Sequence, residues 1–319
     1  IYFTAGGTES NNLLIKGVAD FYKNRGRHLI TTSIEHASVY NVFKSLEKRG
    51  YRVSYLQPDA RGIIDPEELK QTLSQETILV SIMHVNNELG SIQPIRQAGE
   101  IIKQYNPEII FHVDAVQSLG KLRFQPGNWP VDAATFSAHK IHGPKGIGAL
   151  YLKQGVELTP LFEGGGQEQG LRSGTENVPG IAGLAEAVRE LPRLTELQAR
   201  AEVPDRLRGI LIEELQEKLH DAHINSPLDR TGAPHLLNLS FPGIKGEVLV
   251  HALEQAGIYV STGSACHSRN KEDNRVLKAI GLPPELAEGT IRISLCPGNS
   301  GEELRYTTDR IKEMLETYF

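Results

Sequence analysis

Two short apolar runs near the middle of the chain each end in polar side chains that can take part in catalysis. The first run begins at Ile109 and reaches Asp114, and the second begins at Ala133 and leads into the pair His139 and Lys140. Open α/β sheets place their chemistry at the carboxyl ends of the strands. We therefore expect Asp114 and Lys140 to lie on neighbouring strands at one edge of a sheet.

An acid and a lysine in this arrangement match the needs of pyridoxal 5'-phosphate (PLP). The lysine amine can hold the aldehyde as a Schiff base, and the acid can keep the pyridine nitrogen protonated so that the ring accepts electrons. A plainer interpretation fits equally well: Asp114 caps a helix, and Lys140 is one solvated charge among 34 lysines and arginines. These two residues alone do not decide between the interpretations.

A glycine-rich turn joins a strand-like opening to the helical pattern from Glu9 to Tyr22. The turn reads Ala5-Gly6-Gly7-Thr8. Its glycines let the backbone approach an anion, Thr8 can cap the helix, and the helix N-terminus offers free N–H groups to a phosphate. An ordinary strand–helix connection explains the turn as well. Because free termini are usually polar, we expect a segment to be missing before the strand.

The composition is typical of a soluble globular protein. Its 319 residues favour about two domains, with 39% hydrophobic and 23% charged residues. The net charge of -5 and the lack of a basic block give no support for nucleic-acid or membrane-surface binding. No apolar run approaches the ~20 residues that span a bilayer. The two cysteines, Cys266 and Cys296, lack metal-type spacing, which fits a reducing cytoplasm and no metal site.

Strand and helix patterns alternate over the first part of the chain. Residues 1–192 are predicted to form a large domain whose mainly parallel sheet is covered by helices, with a hairpin-like strand from Gly148 to Leu152. Residues 193–319, after Pro192, are predicted to form a small α+β domain. Its expected helices run from Asp205 to His220, Glu247 to Ala256 and Gly301 to Tyr318, and its expected strands are 236–241, 258–261 and 290–295.

Seven short segments in a fixed order carry a family resemblance. They are Thr4 to Asn12, Glu35-His36, His84 to Glu88, His112 to Gln117, Ser137 to Lys140, Arg172 to Thr175 and Ser261 to Ser268. Together they resemble the PLP-dependent cysteine desulfurases of the NifS/IscS-like group, in the class V aminotransferase family. The resemblance implies the fold-type I architecture of the aspartate aminotransferases, a homodimer, and conversion of L-cysteine to L-alanine with transfer of sulfur to an enzyme cysteine.

The resemblance also implies a role for each candidate residue. Lys140 is similar to the Schiff-base lysine, Asp114 to the partner of the pyridine nitrogen, and Gln117 to the donor to the phenolate oxygen. His36 resembles the imidazole that stacks on the ring, where it can shuttle a proton. The residues that resemble phosphate ligands are Gly7 through its backbone, Thr8, Ser137, His139 and, from the other subunit, Thr175.

Two further residues resemble the pair that holds the substrate carboxylate, Asn86 and Arg292. The planar fork of an arginine suits bidentate carboxylate binding. Without the other segments, Arg292 fits a structural ion pair and His36 fits a core or helix-start histidine.

Cys266 resembles the cysteine that receives the sulfur. It stands in the polar stretch 264–271, where His267, Arg269 and Lys271 can favour the thiolate. Because residues 264–274 contain one small apolar side chain, Ala265, we expect this loop to be mobile. Cys296 stands where the family usually has glycine and is expected to be structural.

The sequence leaves several alternatives open. Ala5 and Gly7 stand where the family commonly has serine and alanine, and the family has a further segment before the position of Ile1 that helps to cap the active site. A selenocysteine lyase, a cysteine-sulfinate-type lyase and a non-catalytic PLP-binding homologue fit the same residues. The sulfur acceptor, whether an iron–sulfur scaffold, a tRNA-thiolating enzyme or a thiamine-pathway carrier, is not specified.

Overall fold

Seven strands form one twisted sheet in the order β1-β7-β6-β5-β4-β2-β3. The computed structural model describes residues 1–191, 197–262 and 274–318. The strands are β1 (Tyr2–Thr4), β2 (His28–Thr32), β3 (Arg52–Leu56), β4 (Thr77–Met83), β5 (Ile110–Asp114), β6 (Ala133–Ser137) and β7 (Gly148–Leu152). The neighbouring strands from β3 to β6 are parallel, and β7 runs antiparallel to both β6 and β1. The predicted α/β sheet and the predicted hairpin-like strand from Gly148 to Leu152 are confirmed.

Burial explains why the central strands are almost uniformly apolar. All seven residues of β4 are buried, as expected for a parallel strand that helices cover on both faces. These helices are α1 (Gly7–Phe21), α2 (Ala37–Lys48), α3 (Pro66–Thr72), α4 (Ile95–Tyr105) and α5 (Val178–Arg189). Among the described residues, no helix has the length and apolar character needed to cross a membrane.

Some helix starts are capped by a side chain and others are not. Asp65 accepts a hydrogen bond from the backbone of Glu67 and caps α3, which begins at Pro66, a residue favoured at the first helical position. The predicted cap at Thr8 is wrong, because α1 begins at Gly7 and its N-cap is Gly6. Gly6 has a φ of 152°, which favours glycine over residues that carry a Cβ.

The chain divides into two compact units. The first comprises Ile1–Pro58, Ile64–Val85 and Gln93–Leu194, and the second comprises Asp59–Ile63, Asn86–Ile92 and Thr195–Phe319. The second unit therefore includes two short segments from the earlier part of the chain. The proposed boundary at Pro192 lies outside the described residues and stays a prediction.

The second unit has a four-stranded antiparallel sheet in the order β10-β11-β9-β8. Its strands are β8 (His223–Ile224), β9 (Leu236–Ser240), β10 (Ser261–Thr262) and β11 (Thr290–Ser294), and its helices are α6 (Leu197–Lys218), α7 (Gly246–Gln255), α8 (Arg275–Ala279), α9 (Pro284–Glu288) and α10 (Gly301–Tyr318). Helix α6 begins before the predicted start at Asp205, and β10 begins where the predicted strand 258–261 ends. Three short elements, β8, α8 and α9, were not predicted, because each has five residues or fewer and little periodicity to detect.

Candidate active site

The carboxyl ends of adjacent strands bring the predicted cofactor residues to one edge of the first sheet. Asp114 is the last residue of β5, and Ser137 is the last residue of β6, the next strand in the sheet. A short 3-10 helix, Ala138–Ile141, follows directly and carries His139 and Lys140. The acid and the lysine therefore follow neighbouring parallel strands, as their sequence context predicts.

Asp114 is buried and its carboxylate receives neutral donors. The Asn11 side-chain nitrogen donates to Asp114 Oδ2 at 2.9 Å, and the backbone nitrogen of Val116 donates to Oδ1 at 3.1 Å. Such donors stabilise the carboxylate without cancelling its charge. The negative charge suits the protonated pyridine nitrogen of PLP.

His36 is the N-cap residue of α2. Its Nδ1 lies 2.8 Å from Ser38 Oγ and accepts a hydrogen bond from the Ser38 backbone nitrogen at 3.2 Å. These two contacts hold the imidazole at the start of the helix. The fixed ring is compatible with the predicted stacking role and with the capping role that the sequence also allowed.

The N-terminus of α1 lies close to the end of β6. A Cβ on Gly7 would stand 2.9 Å from Val116 Cγ2 and 3.7 Å from Ser137 Cβ, so glycine permits this close approach. The first N–H groups of a helix lack intrahelical partners and can bind phosphate oxygens. Thr8, the second residue of α1, adds a hydroxyl. This cradle and the buried acid fit PLP.

Ser137 and His139 are directly connected. Ser137 Oγ lies 2.9 Å from His139 Nδ1. Burial lowers the pKa of His139, and the charges of Lys140, Lys145 and Lys121 lower it further. The lowered pKa favours the neutral imidazole, which can donate one hydrogen bond without adding a charge.

Gln117 and Thr175 occupy more open positions. Gln117 is half-buried after β5 and its Oε1 accepts from Lys121 Nζ at 3.4 Å. Thr175 is exposed in the polar loop before α5. Within the first unit, that loop is held to α1 and β1, since Arg172 Nε donates to Glu9 Oε1 at 2.8 Å and Phe3 N donates to Glu168 Oε2 at 3.0 Å.

The two predicted carboxylate-binding residues both belong to the second unit. Asn86 is fully buried, and its Oδ1 accepts from the backbone nitrogens of Glu88 and Leu89 at 2.9 and 2.8 Å. Arg292, half-buried on β11, donates through Nη2 to Ser261 Oγ at 3.0 Å. Hydrogen bonds therefore fix the side chains of both residues.

Four hydrogen-bond donors of the same unit bind the backbone carbonyl oxygens that follow Asn86. Arg292 Nη1 donates to the Asn87 carbonyl oxygen at 2.7 Å, and Asn238 Nδ2 donates to that of Glu88 at 3.2 Å. Ser226 Oγ and the Ala233 backbone nitrogen donate to the next two carbonyl oxygens, at 2.6 and 2.7 Å. Segment 86–92 is thus a rigid support for the Asn86 side chain.

The two cysteines have different standing. Cys266, the predicted sulfur acceptor, lies outside the described residues. Cys296 follows β11, is half-buried, and donates its backbone N–H to Asn299 Oδ1 at 2.9 Å. Its side chain stays a predicted structural group. Within the described part of the chain, no cluster of three or more acidic, histidine or cysteine residues is arranged to hold a metal ion.

Two residues beside the predicted site were not singled out from the sequence, Asn11 and Ser38. Asn11 lies on the buried face of α1 with Leu14, Ile15 and Val18. A polar residue at i, within an i+3, i+4, i+7 apolar pattern, is the signal that could have identified it. Ser38 carried no comparable signal.

Comparison with known proteins identifies relatives along the whole chain. The family Aminotransferase class-V matches residues 1–306. The chain is 44% identical over 324 residues to "Cysteine desulfurase IscS" of Dictyoglomus turgidum, covering 99% of this chain and 79% of the relative. It is 48% identical over 309 residues to "NifS/IcsS protein homolog" of Lactobacillus delbrueckii subsp. bulgaricus, covering 95% and 78%. A solved structure described as "NIFS-LIKE PROTEIN" superposes with a TM-score of 0.91 at 44% identity, covering 99% of this chain and 82% of that one.

Proposed function

This chain belongs to the class V aminotransferase family and is a PLP-dependent cysteine desulfurase with the fold-type I architecture, and on that premise we propose that Cys266 receives the sulfur of L-cysteine. The observation that carries the assignment of the site is the placement of Asp114 and Lys140 after two adjacent parallel strands. L-Alanine is the second product. No described residue favours the lyase alternatives over this function.

The residues of the first unit bind the cofactor and move protons. PLP, when bound, supplies an electron sink for the pair left on the substrate carbon. Asp114 holds a proton at the pyridine nitrogen, and the N-terminus of α1 with Thr8, Ser137 and His139 binds the phosphate. Gln117 donates to the phenolate oxygen. Lys140 would hold the cofactor covalently and would supply the amine that moves protons at the reacting carbon.

The sulfur transfer needs no external oxidant or reductant. The Cys266 thiolate attacks the substrate sulfur, so that an S–S bond forms as the C–S bond breaks. The electron pair of the broken bond stays with the substrate carbon, which takes up a proton to become the methyl group of alanine. The enzyme thiol and L-cysteine are thereby converted to an enzyme persulfide and L-alanine.

Product analysis tests this function. Purified protein with PLP should produce alanine from L-cysteine in a stoichiometric burst without reductant and catalytically with dithiothreitol, which releases sulfide from the persulfide. Equal alanine formation by Cys266→Ala protein would instead favour a lyase. Absence of alanine in both conditions would favour the non-catalytic homologue.

Covalent labelling tests the assignment of Lys140. Borohydride reduction of the yellow holoenzyme followed by peptide mapping should place the cofactor on Lys140. Lys140→Ala protein should retain PLP only as a dialysable ligand. Label on a different lysine, for example the nearby Lys145 or Lys121, would overturn the assignment.

We propose that the enzyme is a homodimer with shared sites. The exposed position of Thr175 supports this proposal, because a phosphate ligand on that loop is available to a second subunit. Mixing inactive Lys140→Ala with inactive Thr175→Ala protein under conditions of subunit exchange should restore up to about one quarter of the activity, since half of the mixed dimers' sites are intact. No recovery with proven exchange would contradict shared sites.

We further propose a protein acceptor for the persulfide sulfur and a cytoplasmic location. The polar Ser-Ala-Cys setting of Cys266 supports delivery to a partner, either an iron–sulfur scaffold or a tRNA-thiolating enzyme. The scarcity of cysteine supports a reducing compartment. Transfer of radioactive sulfur from the persulfide to each purified acceptor distinguishes the two partners, and fractionation of cells tests the location.

A further inference from the structure

Asn11 is the central member of a buried hydrogen-bonded chain that joins two predicted cofactor residues. Its side-chain nitrogen lies 2.9 Å from Asp114 Oδ2 and 2.9 Å from Ser38 Oγ, and Ser38 Oγ lies 2.8 Å from His36 Nδ1. Asn11 is 1% exposed, Asp114 6% and Ser38 9%. Three separate elements, α1, α2 and β5, are thus connected through one amide.

The chemistry of the groups fixes the direction of every hydrogen bond. An ionised carboxylate only accepts, so Asn11 must turn its NH2 group toward Asp114. The second hydrogen of that NH2 group then points to Ser38 Oγ, which acts as an acceptor. The single hydroxyl hydrogen of Ser38 remains to donate to His36 Nδ1, which also accepts from the Ser38 backbone nitrogen. Nδ1 is therefore unprotonated, and the proton of the neutral ring resides on Nε2.

The other end of the Asn11 amide supports this orientation. Asn11 Oδ1 is buried and has no hydrogen-bond partner among the residues that the structure describes. A buried acceptor without a partner is unfavourable for folding. Reversing the amide would place that oxygen against the Asp114 carboxylate, which is worse. The side chain is thus arranged for its two donations.

We propose that Asn11 is a positioning residue that, through the Ser38 hydroxyl, adds to the preference of His36 for the Nε2–H tautomer and orients the Asp114 carboxylate at the same time. The inference rests on the proposed roles of His36 and Asp114 at PLP. In this arrangement His36 presents Nε2–H away from α2, and protonation of Nδ1 is opposed by two donors. The charge of Asp114 selects the direction of each hydrogen bond from Asp114 to His36, so the acid and the imidazole are coupled.

Nitrogen NMR of the holoenzyme measures the tautomer without using activity. With 15N-labelled histidine, the His36 signals, assigned by their loss in His36→Gln protein, should show a protonated Nε2 and an unprotonated Nδ1 in the wild type at neutral pH. Asn11→Ala and Ser38→Ala should each raise the fraction of the Nδ1–H tautomer, while the backbone N–H of residue 38 keeps Nε2–H the major form. Ser38→Thr, which keeps the hydroxyl, should restore the wild-type pattern.

Measurements of PLP affinity test the two parts of this hydrogen-bonded chain separately: the Asn11–Asp114 bond and the bonds from Asn11 through Ser38 to His36. Asn11→Ala should weaken PLP binding about tenfold, because a hydrogen bond to a charged group is worth roughly that factor. Ser38→Ala, which leaves the Asn11–Asp114 bond in place, should bind PLP with nearly wild-type affinity and lower kcat more than it changes KM. Asn41→Ala, at an exposed position on α2, is the matched control and should bind PLP as the wild type does.

These measurements distinguish failure of the proposed positioning role of Asn11 from failure of the proposed function. A His36 tautomer that is unchanged in folded Asn11→Ala and Ser38→Ala proteins would overturn the proposal even if the enzyme makes alanine. A tautomer that shifts as expected supports it even if the reaction proves to be a lyase reaction. If Asn11→Ala fails to fold, the comparison of Ser38→Ala with Ser38→Thr decides the part that runs through Ser38 to His36.

Discussion

Arg292 donates through Nη1 to the carbonyl oxygen of Asn87 at 2.7 Å, and so connects the proposed carboxylate-binding guanidinium to the residue that follows Asn86. Both proposed substrate ligands therefore belong to one hydrogen-bonded substructure of the second unit. Asn86 uses its side-chain oxygen to hold the loop, whereas its side-chain nitrogen is the kind of donor that a carboxylate needs. The proposed substrate contact would therefore use a different atom of the amide from the one that holds the loop.

Replacing Asn86 with aspartate separates these two tasks. Asn86→Asp keeps an acceptor for the backbone nitrogens of Glu88 and Leu89, so the melting temperature should stay within a few degrees of the wild type. The new carboxylate repels that of L-cysteine, and KM should rise about tenfold or more. Arg292→Lys should raise KM similarly, because lysine lacks the planar fork. Unchanged KM in both variants would remove these residues from the substrate site.

The ion pair between Glu9 and Arg172 should control the loop that carries Thr175. The pair is half-buried, with a separation of 2.8 Å, and Glu9 Oε2 also accepts from the Ala5 backbone nitrogen at 3.2 Å. Arg172→Glu should lower PLP affinity and activity about tenfold, because the new carboxylate repels that of Glu9 where both are partly desolvated. The exchanged pair, Glu9→Arg with Arg172→Glu, should recover part of the loss.

The control for this charge reversal is Lys70→Glu, which disrupts an exposed pair with Glu67 on α3. It should leave both PLP affinity and activity unchanged, because exposed pairs contribute little. A double variant that is no better than the worse single variant would show that Arg172 acts independently of Glu9.

The placement of the main site residues could be predicted because it follows from local patterns. Asp114 and Ser137 end apolar runs, and strand ends meet at one edge of a parallel sheet. The Asn11–Asp114 bond could not be predicted in this way, since its partners are 103 residues apart. Likewise, the assignment of segment 86–92 to the second unit depends on contacts such as Asn238 with Glu88, 150 residues apart. Packing, rather than periodicity, determines such pairs.

His112 should make the fold sensitive to acid. Its ring is buried in β5 between Ser81 Oγ at 2.8 Å and Thr135 Oγ1 at 3.0 Å, and burial lowers its pKa from 6.5 to about 3. As the pH falls below 6.5, the unfolded chain binds a proton that the folded chain refuses. The stability that this histidine provides is therefore complete above pH 6.5 and is lost progressively toward pH 3.

Urea unfolding at about pH 7.5 and pH 5 measures this effect. At pH 5 the wild type should lose about 2 kcal/mol of unfolding free energy through His112 alone. His112→Gln should be less stable than the wild type at about pH 7.5. Between about pH 7.5 and pH 5, its unfolding free energy should fall by about 2 kcal/mol less than that of the wild type. His220→Gln, at an exposed position, serves as the control. An identical pH dependence in wild type and His112→Gln would contradict the lowered pKa.

Replacing Cys266 should stop sulfur transfer without affecting cofactor binding. The proposed reaction requires a thiolate, and His267, Arg269 and Lys271 follow Cys266 closely enough in sequence to favour that ionised form. Cys266→Ser protein should therefore retain the PLP spectrum and still change colour when L-cysteine is added. Alanine formation should fall at least about a hundredfold, because serine is a far weaker nucleophile at neutral pH.

Cys296→Ser is the matched control and should form alanine and transfer sulfur as the wild type does. Mass spectrometry after a single turnover should find the additional sulfur on the peptide containing Cys266. A persulfide on Cys296, or wild-type alanine formation by Cys266→Ser, would show that Cys266 is not the nucleophile and would give the lyase reaction precedence.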